Sequence, residues 1–518
     1  MSPQKETLSL QLMEGAVSFH ETRSRTERMM ADRAAEIFGN KIDDKIYVKA
    51  CKAKEKYAKK FKHNPNEKCH LRIAELPVVG ERFEAKRLAP AVSTSEAADF
   101  STIENPVVVG NIRMGFGHYR IAMAMASAAH ALGYTPLWFD LMGFPNTTCT
   151  KLIAHQNDLY SMGSRLSQRS HLFNSLYWEP LNSEGFRKLS YNAADQKAAE
   201  LMVAPYADLP SDIPFIGTHV WPAQAAVHAG LTNVVNAIPD NWPMALHLAE
   251  GAIHTVQTPS SCLRYKMLVG MDKKRQLLPM PEGSILCTGH YIDHELVLNI
   301  PFDCARRVER VMDGKPIRYL LSVGGAGAQF DLFKGIIEHL LPYIEADKAA
   351  LFVNVGDHAN VWQQLKAAIP ALSQATEHFD DFEDTEAFAE GALEGEVHGI
   401  HAFGDSDIYG AVYSTNLLMR ACDLLATKPS ELAFYPVPKL MIKRVGGHEA
   451  WGAIRAAEVG DGTYELETLP ETCAMIDLMQ AEPSIIADMC DNIEAADAIG
   501  IYDGAYRVVQ LATQATQE

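Results

Sequence analysis

Two stretches of this chain repeat one local pattern, and that pattern restricts the fold more than any other feature. Each is a short apolar run, then a glycine-rich loop, then a longer run with helical spacing. The first is PVVVG, NIRMGFGHYR and IAMAMASAAHAL, spanning residues 106–132. The second is IRYLLS, VGGAGAQ and FDLFKGIIEHLLPYI, spanning 317–344. A run of four or five apolar residues bounded by glycine reads as a buried strand. In the first stretch Ile121, Ala124, Met125, Ala128 and Leu132 share one helical face. TPLWFDL at 135–141 is then the next strand. Strand, loop, helix and strand in so short a span make a βαβ unit, and hence a parallel sheet.

Further strands are expected at PFIGTH (214–219), NVVNAIPD (233–240) and HTVQTP (254–259). After the second glycine loop they recur at ALFVNVGD (350–357), CDLLATKP (422–429) and PKLMIKR (438–444). At 518 residues the chain exceeds one ordinary core. The expected fold class is α/β, with two Rossmann-like domains at 101–305 and 306–470. The join falls in 300–316, where DGKP breaks the pattern. Residues 1–100 read as a mostly helical extension, tied on by the polar STSEAADFSTIENP (93–106). Residues 471–518 read as a helical segment packing back on the first domain.

The charge balance narrows the partners. Net charge is −18, which disfavours nucleic acid and strong attachment to anionic membrane. One local exception is KIYVKACKAKEKYAKKFK (45–62), with eight lysines and one glutamate. It suits a helix with a solvated face and leaves room for peripheral membrane contact at most. No apolar run approaches the ~20 residues of a bilayer span, and the first residues lack a signal-peptide pattern. Nine dispersed cysteines without a C-x-x-C read as reduced thiols, so a cytoplasmic protein is expected. Residues 375–407 hold eleven acids and no Lys or Arg, and read as a solvated loop region without assigned function.

The first glycine loop is not a P-loop, because Phe116-Gly117 stands where Lys-Ser/Thr is required. Nor is it a full dinucleotide fingerprint, because the third glycine would fall at Arg120. Gly115 and Gly117 instead let a ligand approach the backbone, and His118 opens the helix at the carboxyl edge of the sheet. There it either caps the helix or serves as a base. His219 and Asp240 end later strands and face the same edge, where Asp240 either caps the next helix or orients an imidazole or a sugar hydroxyl. In the second domain, Gly324, Gly325 and Gly327 suit a diphosphate on backbone amides, or packing alone. Lys428, Ser430 and Glu431 follow a strand, and His448 and Glu449 follow Gly446-Gly447 in another loop on that edge. No motif with metal-ligand spacing is present.

These motifs, in this order, resemble a GT-B glycosyltransferase. Within that fold they look like the family of the peptidoglycan N-acetylglucosaminyl transferase and monogalactosyldiacylglycerol synthase. GFGHYRIAMAMASAAHALGY is similar to that family's Gly-Gly-x-Gly-Gly-His loop and first helix, and places His118 on its base. THVWPAQAAVHAGLTNVVNAIPDNW resembles the acceptor-side stretch, matched by His219 and Asp240. SVGGAGAQ resembles the donor loop, CDLLATKPSEL the Thr-Lys stretch before the donor glutamate, and GGHEAWGA the Pro-Gly-Gln-Glu motif. The resemblance covers about 106–460. The sequence departs from the family where Glu431 follows Lys428 by three residues, and where His448 replaces a glutamine.

The resemblance implies two domains facing a cleft and an inverting, metal-independent glycosyltransferase without a cofactor. The donor would be a nucleotide sugar, UDP-linked, with Gly324, Gly325 and Gly327 at its diphosphate, Glu431 at its ribose and Lys428 at the leaving group. Ser430, His448 and Glu449 would complete the donor site. Gly115, Gly117 and His219 would line the acceptor side, with His118 and Asp240 catalytic. A lipid-linked acceptor fits the family. Two rival readings stand beside this one: a nucleotide-sugar 2-epimerase, and a non-catalytic nucleotide-sugar-binding protein that kept the fold.

Overall fold

The computed structural model describes residues 32–169, 171–173, 176–177, 180–181, 185–323 and 329–514. Gly324, Gly325 and Gly327, expected at a diphosphate, lie outside the described residues. The chain forms two compact α/β units. One runs to Asp293 and resumes at Asp503; the other is His294–Tyr502.

The first unit is built on eight strands: β1 (Leu71–Ala74), β2 (Lys86–Pro90), β3 (Pro106–Asn111), β4 (Thr135–Asp140), β5 (Phe215–Gly217), β6 (Val234–Ala237), β7 (Ile253–Val256) and β8 (Ile285–Cys287). Their spatial order is β8-β7-β6-β5-β3-β4-β2-β1. All pairs are parallel except β1 with β2. From β3 the chain moves out to β4, then crosses back to β5 on the other side. The β3/β5 junction is therefore a topological switch point, the place where open α/β sheets take ligands.

Residues 36–100 are part of this unit. β1 and β2 extend its sheet, and the lysine-rich run folds into α1 (Asp44–Phe61), capped by the Asp43 carboxylate on the Lys45 N–H. Ala50 is buried, and Tyr57, Ala58 and Phe61 pack on the core. Lys45, Lys49, Lys52, Lys56 and Lys59 stay exposed at helical spacing. Lys54 instead pairs with Glu200, which also meets Lys197 at 2.8 Å.

The second unit has six parallel strands: β9 (Ile317–Ser322), β10 (Ala349–Asn354), β11 (Thr376–Phe379), β12 (Gly399–Gly404), β13 (Leu424–Thr427) and β14 (Lys439–Met441). Their order is β11-β12-β10-β9-β13-β14, which puts the switch point at β9/β13. The acidic stretch 375–407 is not a loop: it contains β11, the helix Phe382–Glu394 and β12. Its acids sit where a helix tolerates them. Asp381 caps the helix, and Glu383 and Asp384 occupy the first turn. Lys439 and Asp461 form a fully buried pair at 2.8 Å, and Tyr502 donates to Asp461 at 2.8 Å. The Lys439 ammonium also donates to the Tyr435 and Val437 carbonyls, which helps to offset its burial.

The C-terminal helices divide between the units. Ile476, Met479, Ile486 and Met489 of α10 (Leu469–Ala481) and α11 (Ser484–Ala498) lie in the second core. Only α12 (Gly504–Gln514) belongs to the first unit, where it packs on α2 (Gly117–Ala131) and the ends of β5 and β6. Asn233 donates to the Ala512 carbonyl at 2.5 Å. Among the described residues no helix is long and apolar enough to cross a membrane.

Packing at the first switch point depends on glycine. A Cβ at Gly110 would lie 2.3 Å from the Phe215 ring and 3.1 Å from Pro222 Cβ. One at Gly217 would lie 2.9 Å from Ala223 Cβ. We expect Gly110→Ala to lower the unfolding free energy by about 1–3 kcal/mol, the usual cost of overpacking. Phe215→Leu in the same chain recovers part of that loss, as read from denaturant midpoints.

Candidate functional site

The loop between β3 and α2 is fastened at both ends by one residue. Thr218, just beyond β5, donates its N–H to the Gly110 carbonyl at 2.9 Å. Its hydroxyl lies 3.2 Å from the His118 carbonyl, and its own carbonyl lies 3.0 Å from His118 Nδ1. A carbonyl only accepts, so His118 carries its proton on Nδ1 and presents Nε2 as a proton acceptor. Gly115 sits at φ +76° with nothing near its missing Cβ, so its glycine serves the backbone and not packing. Gly117 is buried at the first position of α2.

His219 meets His118 edge to face, with ring centroids 4.7 Å apart and planes at 88°. It is the N-cap of α5 (Val220–His228) and accepts the Trp221 N–H on Nδ1 at 3.2 Å. Its tautomer is thus the opposite one: neutral His219 has its proton on Nε2 and is a donor. Burial pushes its pKa well below the ordinary 6.5, helped by His118 and His247 and opposed by Asp240. The pair offers one acceptor and one donor side by side.

Asp240, three residues past β6, holds an imidazole, but it is that of His247: Oδ2 lies 3.2 Å from His247 Nε2. On the other side of His118, Tyr119 donates to Asp140 at the end of β4. Burial raises the Asp140 pKa, against Tyr119, the Met142 N–H, Arg113 and Arg87. Thr218, Asp140 and His247 escape sequence reading. Thr218 directly precedes a noted histidine at a strand end, and that was its signal. His247 follows Asp240 across an irregular turn and had none.

In the second unit, Lys428 follows β13 and forms an ion pair with Glu449. The other Glu449 oxygen accepts the Val445 and Gly446 N–H groups at 2.8 and 3.1 Å. Burial alone would raise this carboxyl; Lys428 and the two amides hold it below the ordinary range. Glu449 therefore pins the loop 443–449 to the end of β13. A Cβ at Gly452, in α9 (Ala450–Val459), would lie 2.5 Å from the Pro429 carbonyl, so α9 also presses on this turn. Ser430 is half-buried and precedes the turn Glu431–Phe434. The Glu431 side chain, half-buried at the first position of that turn, makes no hydrogen bond or ion pair among the described residues. His448 packs beside Gly446, whose Cβ would meet its ring at 2.6 Å. The Gln329 side chain donates to the Lys443 carbonyl, which brings the end of the β9 loop beside this one. Among the described residues no group of three His, Cys, Asp or Glu side chains is arranged to hold a metal ion.

Two family models match the chain. Both are described as domains of unknown function: DUF6937 over residues 36–267 and DUF6938 over 280–513. No curated protein matches it. Among solved structures, the UDP-GlcNAc 2-epimerase of Neisseria meningitidis bound to UDP-GlcNAc is 11% identical, with a TM-score of 0.42, over 78% of this chain and 98% of its own. S. aureus MnaA with UDP is 10% identical, with a TM-score of 0.39, over 78% and 95%. The α,α-trehalose 6-phosphate synthase of Burkholderia multivorans is 11% identical, with a TM-score of 0.39, over 79% and 98%.

Buried histidines make the first unit acid-sensitive. Burial lowers His219 well below 6.5, and lowers His228 and His254 to about 4. The unfolded chain binds these protons first, so stability present above pH 6.5 is lost as pH falls through the depressed folded values. We expect a slope of about 1.4 kcal/mol per pH unit for each such histidine between pH 6 and 4. Denaturant unfolding at several pH values measures it.

Proposed function

We propose that the protein is a glycosyltransferase that moves a sugar from a nucleotide-sugar donor to a hydroxyl acceptor, with inversion and without a metal ion. The observation that carries this reading is the bond from His118 Nδ1 to the Thr218 carbonyl, at the switch point of the first sheet. A proton held on Nδ1 leaves Nε2 to accept one, which supports a role as base on a glycine-containing loop. Beside it, His219 supplies a donor and Asp240 an acceptor, a mixed set suited to sugar hydroxyls.

In this reading His118 takes the proton of the acceptor hydroxyl as its oxygen attacks the anomeric carbon. The bond to the diphosphate breaks, and the nucleoside diphosphate leaves with the electron pair. The nucleotide, UDP in our reading, belongs to the second unit, with Glu431 accepting from the ribose diol. Glu449 is spent on Lys428 and the loop amides, and so shapes the donor loop without touching the ligand. Backbone amides and Lys428 stabilise the departing charge.

We expect His118→Ala to reduce transfer by about a hundredfold or more, the usual contribution of a general base. Nucleotide binding by calorimetry stays within a factor of two to three of wild type. Near-normal turnover in that variant rejects the base. Incubation with the nucleotide sugar alone separates this reading from 2-epimerisation, which needs no acceptor. A panel of UDP, GDP and TDP sugars with no binding by any rejects both.

A further inference from the structure

Behind Asp240 lies a chain of hydrogen bonds that ends in the core. His247 is nearly buried, its side chain 6% exposed against 36% for Asp240. Its Nδ1 lies 2.7 Å from the hydroxyl of Tyr265, a residue with no exposed surface. The Met244 N–H donates to the same phenol oxygen at 3.1 Å, and the Trp242 carbonyl lies 3.3 Å from it.

The directions of these bonds can be assigned. The phenol has one proton, and the Met244 amide already fills a lone pair. The other ring nitrogen of His247, Nε2, faces the Asp240 carboxylate, which only accepts, so Nε2 carries a proton and Nδ1 of the neutral ring accepts from the phenol at 2.7 Å. The phenol is in no position to ionise: burial, with Asp240 adding to it, raises its pKa well above 10. His247 Nδ1 is therefore an acceptor, and its proton sits on Nε2, the atom that faces Asp240.

We propose that Tyr265 and His247 are positioning residues for Asp240. Tyr265 fixes the tautomer of His247, and the resulting Nε2–H holds the Asp240 carboxylate at the sheet edge, beside the His118–His219 pair. This rests on the reading of that edge as the acceptor side of the site. Without the phenol hydroxyl, Nδ1 loses the donor that holds the ring in this tautomer and orientation. A ring that turns, or that moves its proton to Nδ1, no longer gives the Asp240 carboxylate this N–H. Tyr265 is fully buried and His247 nearly so, which suits both to act through the groups in front of them.

The test has a spectroscopic arm and a kinetic arm. Solid-state NMR of 15N-histidine-labelled full-length protein, with His247 assigned by its loss in His247→Gln, reads the tautomer directly. Wild type should show His247 protonated on Nε2 with Nδ1 accepting, and Tyr265→Phe should show a mixture. An Nδ1–H tautomer in wild type overturns the proposal whatever the protein catalyses. In the kinetic arm, Tyr265→Phe and His247→Leu should lower kcat about ten- to hundredfold, as loss of a supporting partner does elsewhere, with the nucleotide KM unchanged. His247→Gln, which keeps an N–H where Nε2 was, should recover most of it. Full activity in His247→Leu, or in Asp240→Asn, overturns the positioning role. If no nucleotide sugar turns over at all, the transferase reading fails alone, and the tautomer in wild type and in Tyr265→Phe still decides this one. Near-ultraviolet circular dichroism confirms that each variant is folded.

Discussion

Thr218 is the residue on which the first unit's edge depends. Through its amide, hydroxyl and carbonyl it joins the end of β3, the start of α2 and the imidazole of His118. A glycine-containing loop of this kind has little intrinsic preference for one shape. Bonding both of its ends to one residue of the neighbouring strand removes that freedom. The same bonds choose the tautomer of His118, so loop geometry and acid–base character are set together. Gly110 and Gly217 matter at the same place: a Cβ on the first would press on Phe215 and Pro222, and one on the second on Ala223.

Opposed tautomers on adjacent histidines are the second consequence. A backbone carbonyl faces His118 and a backbone amide faces His219, so two chemically identical side chains become an acceptor and a donor. Secondary structure makes the difference. His219 caps a helix and meets an orphan N–H, whereas His118 lies inside the first turn and turns sideways to a strand end. In the second unit the comparable edge is organised by charge, with Lys428 and Glu449 balancing each other across the strand end.

The strand–loop–helix starts of both units were legible in the sequence because each is local and periodic. The parallel sheets followed from them, and so did His118, His219 and Asp240 as residues of one edge. What was hidden depends on partners distant in the chain. β1 and β2 lie in the expected extension, and their place in the sheet rests on β2 pairing with β4, some fifty residues on. The acidic stretch concealed a strand–helix–strand because its charge outweighed its short apolar positions. Lys428 and Glu449 both stood out as residue types, but their mutual pairing across two turns did not. Nothing in the sequence around Tyr265 shows that its hydroxyl meets an imidazole.

The chain leaves the first unit at Asp293 and re-enters it at Asp503 to lay α12 against α2 and the ends of β5 and β6. That unit is therefore split in sequence, with the other inserted whole. During synthesis the insert emerges before the last helix that the first unit needs. The buried faces of α2 and the strand ends stay uncovered until then, while the insert already has all its own strands and helices. Assembly order is thereby reversed with respect to the order of translation: the unit that begins first is completed last.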